Sequence, residues 1–271
     1  MRKCLPELSK LFAWDSESSP FGDCASPPEV ELQESFIFHH SSFILTLWYP
    51  CPIPLCGENM YVAIEGVIGV GKTTLARLLQ PAFDADILLE VFEENPFLSD
   101  FYADRARYAF QTQIFFLLSR YHQQRRGVSE VVKAGKNLLS DYTFAKDALF
   151  ARINLQGDEL DMYHRVHEAL AEKIPLPDLL VYLRADTETL MQRIALRDRS
   201  YERNMEHGYI DELNRAYDDF FAKPYDHTPI LIIDTNHINI VQNPEDLKMV
   251  ENKIREALGI TPFQPSLPMN G

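Results

Sequence analysis

The run Gly66-Val-Ile-Gly-Val-Gly-Lys-Thr73 sets three glycines, a lysine and a hydroxyl at the spacing G-x-x-x-x-G-K-[ST]. Glycines so spaced let successive backbone N–H groups turn inward around phosphate oxygens, and a helix starting directly after them adds its positive end. Lys72 can neutralise the outer phosphates of a triphosphate, and the Thr73 hydroxyl suits Mg2+. Gly66, Gly69, Val70, Gly71, Lys72, Thr73 and Thr74 are thus the candidates for holding a phosphate donor. Such a loop leaves the acceptor open.

Acceptor-side candidates lie farther along. Glu90 falls at the end of the apolar run Ile87-Leu-Leu-Glu-Val91. A carboxylate there could take the proton of a hydroxyl attacking a γ-phosphate, or could be a solvated strand-end acid. Glu93 and Glu94 follow at once and keep that choice open. Arg193, Arg197, Arg199 and Arg203 cluster within eleven residues, the first pair one helical turn apart. Guanidinium groups stabilise charge on a transferring phosphate, but a helix this charged can equally be a solvated face. Beside a phosphate loop in an acidic chain, the cluster favours a lid over the phosphates. Gln113 and Arg120, seven apart on one helical pattern, share a face; the glutamine amide can pair with a base edge, or the two can belong to a polar surface stripe. Phe115, Phe116, Phe144 and Phe150 read as core residues, one of which could stack on a base.

These side chains need a scaffold that brings distant segments together. Short apolar runs at 61–65, 87–91, 137–141, 179–183 and 230–234 alternate with helical patterns at 73–79, 104–126, 144–152, 158–173, 187–197, 209–222 and 244–258. That alternation predicts an α/β fold, a five-stranded parallel sheet with helices on both faces. Ligands in such sheets gather at the carboxyl ends of the strands, where the loop, Glu90 and Asp141 all fall.

The chain has 271 residues and a formal net charge of -14, which gives it no electrostatic pull towards nucleic acid. All four cysteines (Cys4, Cys24, Cys51, Cys56) and both tryptophans (Trp14, Trp48) precede the loop. The composition shift marks a boundary near residue 59. Residues 1–59 read as an extension that is poorly ordered or not native, with Met60 as the native start; 60–258 is the working domain, and the proline-bearing tail 259–271 is expected to be disordered. Cys51 and Cys56 form a C-x4-C pair, either a zinc half-site or unpaired thiols. No run is long enough to span a membrane.

Taken in order, IEGVIGVGKTT, LLEVFEENPFLSDFY, YAFQTQIFFLLSR, SDYTFAKDALFA and RIALRDRSYE resemble the deoxynucleoside kinases, especially the bacterial deoxyguanosine and deoxyadenosine kinase branch. The resemblance implies a P-loop kinase fold and transfer of the ATP γ-phosphate, with Mg2+, to the 5'-hydroxyl of a deoxynucleoside, with purine the favoured base. It implies a homodimer, and a cytoplasmic salvage enzyme is expected; the charge and the lack of a long apolar run already argued against nucleic acid and membrane as partners. It points to Glu90 as general base, five residues before Asn95-Pro-Phe, with Glu94 as fallback. Tyr102 and Glu202 match positions that hold the sugar 3'-hydroxyl. Gln113 and Asp147 match the base-reading pair, Arg120 an arginine near both, and Phe150 the stacking ring. Arg193, counted with Glu90 and Lys72 as catalytic, matches a lid residue that contacts phosphates, as do Arg197 and Arg199. Thr73 and Asp141 would serve the metal. One departure stands out: where many members carry acid-Arg-Ser, this chain reads Asp141-Tyr142-Thr143, and Lys146 is the candidate to replace the missing arginine. A thymidylate-type nucleoside monophosphate kinase and a non-catalytic nucleotide-binding subunit are the rival readings.

Overall fold

The computed structural model describes residues 59–260, apart from Glu93, Asn204, Pro224, Asp226 and His227. The expected extension, its cysteine pair and nearly all of the expected tail lie outside the described residues.

Five parallel strands, β1 (Tyr61–Glu65), β2 (Ala85–Leu88), β3 (Asn137–Ser140), β4 (Leu179–Arg184) and β5 (Ile230–Asp234), form one sheet in the order β2-β3-β1-β4-β5. Every residue of β1 is buried, as is all of β4 except Arg184, which is why these segments read as unbroken apolar runs. Helices cover both faces. Tyr61 and Ala63 of β1 pack with Val128 and Val131 of α3 (Arg105–Lys133). Val62 and Ile64 belong to a separate cluster with Leu75 and Leu79 of α1 (Lys72–Phe83).

The remaining helices are α2 (Leu98–Ala103), α4 (Lys146–Asn154), α5 (Gly157–Ala171), α6 (Thr187–Arg197), α7 (His207–Phe221) and α8 (Pro244–Ala257). None of the described helices is long and apolar enough to cross a membrane.

Three local differences from the sequence reading bear on the site. First, β2 ends at Leu88, so Glu90 lies beyond the strand. Asp141 donates its backbone N–H to Leu88 O at 3.2 Å, and its side chain then accepts from Glu90 N at 2.8 Å. The Glu90 amide therefore leaves the ladder for a side chain. Second, the helix expected over 104–126 runs on to Lys133. Gly127 does not stop it: this is where α3 passes β2, and a Cβ there would stand 3.0 Å from Leu88 Cδ1. Third, α2 went unexpected in the stretch after Asn95. The Asn95 side chain nucleates it, accepting from Phe97 N at 2.9 Å while donating to Thr112 O of α3 at 3.3 Å.

Candidate active site

The phosphate loop joins β1 to α1. Gly66 and Gly69 take φ values of 145° and 87°, and a Cβ on Gly66 would sit 2.4 Å from Leu183 O, so only glycine fits. Among the described residues no side chain caps α1, which leaves its first N–H groups available to an anion. Lys72 Nζ donates to Gly66 O at 2.7 Å and to Val67 O at 3.1 Å. Burial, aided by the nearby Lys146 charge, lowers its pKa to about 8. Beneath the loop Glu65 is fully buried: Oε1 accepts from Thr143 N at 2.6 Å and Thr143 Oγ1 at 2.9 Å, and Oε2 from Gly66 N at 3.2 Å and Tyr217 OH at 3.3 Å. One carboxylate thus ties β1, the segment after β3, and α7.

Asp141 follows β3 directly. Its Oδ2 accepts from the Thr73 hydroxyl, so the two expected metal-side residues meet. A carboxylate beside a hydroxyl is a hard oxygen pair of the kind Mg2+ takes while keeping several of its waters. Among the described residues no group of three or more His, Cys, Asp or Glu could cage a metal by protein alone. The pair fits a cation held jointly with phosphates.

Glu90 is the hub of the site. Arg120 Nε donates to its Oε1 at 2.9 Å, and Lys146 Nζ to its Oε2 at 2.6 Å. Burial would raise the Glu90 pKa, but the charges and hydrogen bonds of Arg120 and Lys146 overcome this and hold it well below the usual carboxylate range. Arg120 reaches on to Asp147 Oδ1 and lies over the Phe116 ring at 4.4 Å. Asp147 is fully buried and does not line the cleft. The resemblance pairs it with Gln113 as a base reader; here its Oδ1 accepts from Arg120.

Glu90, Gln113, Arg120, Phe150, Tyr102 and Glu202 line one cleft together with Gly66, Gly69, Lys72, Thr73 and Asp141. At its inner end the buried Gln113 Oε1 and Thr112 Oγ1 have no partner among the described residues, nor does Asp147 Oδ2 behind them. Buried polar atoms rarely stay unpaired, so this end is built to receive polar groups from a ligand. Phe116 and Phe150 belong to its wall, Phe150 set edge-on to Tyr217 at 6.3 Å. At the outer end Tyr102 stacks on Tyr201 at 6.2 Å, and Arg199 lies over Phe92 at 4.2 Å. Burial pushes the Tyr102 pKa well up, so its hydroxyl stays protonated and able to donate. Glu202 accepts from Arg197 Nε at 3.1 Å and lies 3.7 Å from Arg199.

Arg193 is not brought to Glu90. Its guanidinium donates to Val70 O at 3.3 Å, Thr235 Oγ1 at 2.9 Å and Thr235 O at 2.6 Å. Those bonds commit it to the far side of the loop, where it lines a second cleft with Val70, Gly71 and Thr74, and with Ile238 and Ile240 beyond β5. Arg197 and Arg199 border both clefts. Glu94 does not line the cleft that holds Glu90.

Sequence reasoning missed Glu65, Phe92, Thr112 and Tyr201. Glu65 carried a signal, an acid ending an apolar strand directly before the loop. Thr112 sits beside Gln113 on the α3 face that also carries Phe116 and Arg120, so helical spacing could have found it.

A family model described as deoxynucleoside kinase matches residues 62–258. A deoxyguanosine kinase of Bacillus subtilis (strain 168) is 31% identical over 201 residues, which is 73% of this chain and 97% of the relative. A deoxyadenosine kinase of Dictyostelium discoideum is 32% identical over 181 residues, 65% of this chain and 72% of the relative. A solved structure of deoxyadenosine kinase from M. mycoides, with the product dCMP and a flexible dCDP bound, matches with a TM-score of 0.64 at 25% identity, covering 73% of this chain and 100% of that one. The parallel sheet, the phosphate loop and the match over 62–258 agree, and the chain belongs to the deoxynucleoside kinase family.

Proposed function

We propose that this enzyme transfers the γ-phosphate of ATP to the 5'-hydroxyl of a deoxynucleoside, a purine one, in cytoplasmic nucleotide salvage. The observation that carries the reading is the single cleft that has Lys72 and Thr73 at one end, the unpartnered Gln113 amide oxygen at the other, and Glu90 between them. Gln113 would read the base edge, with Phe150 and Phe116 against its faces. Arg120, held from behind by Asp147, stands between base and hydroxyl. Tyr102 and Glu202 would take the sugar 3'-hydroxyl. Glu90 orients the 5'-hydroxyl and accepts its proton as the bond to phosphorus forms. The loop amides, with Gly66, Gly69 and Gly71, would cradle the phosphates, and Lys72 their charge. Arg193 belongs to the second cleft, where the donor base would lie, and Arg197 and Arg199 form the lid between donor and acceptor. Thr73 and Asp141 would hold Mg2+, which neutralises phosphate charge when bound. The preference for purine is supported by relatives named for deoxyguanosine and deoxyadenosine.

A second copy of the chain is the proposed partner. In support, α5 buries only Tyr163, and Met162 on it and Leu118 on α3 are exposed apolar residues. Light scattering should give twice the chain mass.

The test is ADP release from ATP and Mg2+ with each of the four deoxynucleosides, and with thymidine monophosphate in a parallel arm. Acceptor-dependent release with deoxyguanosine or deoxyadenosine above the pyrimidines is expected. Release with the monophosphate alone, or with no acceptor, overturns the reading.

A further inference from the structure

The segment after β3 is where this chain departs from the acid-Arg-Ser pattern, and its side chains show what fills the gap. Tyr142 is fully buried, its hydroxyl donating to Gln123 Oε1 at 2.8 Å on α3, so position 142 supplies nothing to the cleft. Thr143 is turned to Glu65. The next cation along the chain is Lys146, the first residue of α4. It is only 6% exposed, yet it lines the cleft, and its Nζ lies 2.6 Å from Glu90 Oε2.

The two cations on Glu90 are not equivalent. Arg120 is anchored by Asp147 and laid over Phe116, so its charge is already matched and its position set. Among the described residues Glu90 is the ion-pair partner of Lys146. Its ammonium is also close enough to Lys72 for the two charges to repel. The ammonium thus has one acid beside it and the loop lysine near it, in the cleft that the phosphate loop also lines.

We propose that Lys146 is a positioning residue for phosphoryl transfer, holding Glu90 Oε2 towards the acceptor hydroxyl and presenting its charge to the phosphoryl group in flight. The inference rests on the kinase reading above. In the step, the 5'-oxygen bonds to the γ-phosphorus and its proton passes to Glu90. The bond from the γ-phosphorus to the bridging oxygen breaks, and its electron pair leaves with ADP.

The experiment compares Lys146→Ala, Lys146→Met and Lys146→Arg in the full chain, with kcat and the nucleoside KM measured separately and melting followed as a folding control. A loss of kcat on the order of a hundredfold is expected for Ala and Met, as for loss of one charge-stabilising donor, with KM changed only a few-fold. Arg should recover at least about tenfold of that loss, and added methylammonium should partly rescue Ala. Met keeps the bulk of the side chain and carries the test if Ala does not fold. Turnover within about threefold of wild type in both Ala and Met overturns the inference. So does a loss that neither Arg nor methylammonium relieves and that tracks a fall in melting temperature. A wild-type enzyme that releases no ADP with any deoxynucleoside overturns the kinase reading itself, and this inference with it.

Discussion

Glu90 is a carboxylate whose two oxygens are divided between Arg120 and Lys146, and that division limits what it can do. A carboxylate held below its ordinary range is a weak base in the ground state. Phosphoryl transfer tolerates this, because its transition state is loose and the hydroxyl proton is lost late. In the proposed step the paired cations would keep Glu90 ionised and aimed, and proton transfer would follow as the 5'-oxygen gains positive charge. Glu90→Gln keeps the shape and one acceptor oxygen but removes the charge. We expect kcat to fall roughly a hundredfold or more while the nucleoside dissociation constant changes little. Steady-state kinetics beside calorimetric titration with the nucleoside separates the two. Unchanged turnover would remove Glu90 from the mechanism. Spacing brought Glu90, Gln113 and Arg120 forward as candidates but left each beside a surface reading, and the family resemblance chose between them. Spacing does not tell depth or partner: Asp147 lies one layer behind the cleft, and Arg193 is tied to Thr235, a residue 42 positions away.

The element that joins the two halves of the site is the C-terminal end of α6 and the turn after it. Asp198 takes a left-handed φ of 49°, which stops α6 and turns Arg199 and Glu202 back towards the cleft. In this form Glu202 is engaged by Arg197 and Arg199. A sugar hydroxyl that takes Glu202 frees arginines for the phosphates, and phosphates that draw the arginines free Glu202 for the sugar. If these residues take the roles proposed for them, each ligand would prepare the site for the other, and such coupling must be reciprocal. ATP and the deoxynucleoside are expected to raise each other's affinity several-fold, within the usual range for coupled sites. Glu202→Gln should abolish most of that coupling and raise the nucleoside KM about tenfold, the effect of losing a charged hydrogen bond. Titrating each ligand with and without a non-hydrolysable form of the other checks it, and equal affinities in wild type would refute it. At this scale the strands were legible because both faces of the sheet are covered. The reach of α3 past Gly127 was not, because glycine reads as a break unless one knows that Leu88 presses on it.

For the molecule as a whole, the partly buried titratable groups set how it meets acid. His167 of α5 stacks on Phe144 at 4.8 Å and on Tyr163 at 6.2 Å, and its ring Nε2 lies 3.5 Å from Phe144 O. Burial lowers its pKa below the ordinary value near 6.5, more than the backbone contact and Glu168 raise it, and His164 adds to the lowering. The folded chain therefore binds fewer protons here than the unfolded chain once pH drops below about 6.5, and linkage then makes stability fall with pH. The contribution of neutral His167 is complete above that pH and is lost as pH falls towards the folded-state pKa. His167→Phe keeps a ring between Phe144 and Tyr163 and removes the titration. Between pH 8 and pH 5, melting temperature should fall less in the variant than in wild type, with the two curves parting below about pH 6.5. Curves that stay parallel to pH 5 would show that His167 takes up its proton equally well folded and unfolded. Loss of stability at lower pH, below the ordinary glutamate value of 4.5, belongs instead to the carboxylates that the fold holds ionised, Glu90 first among them.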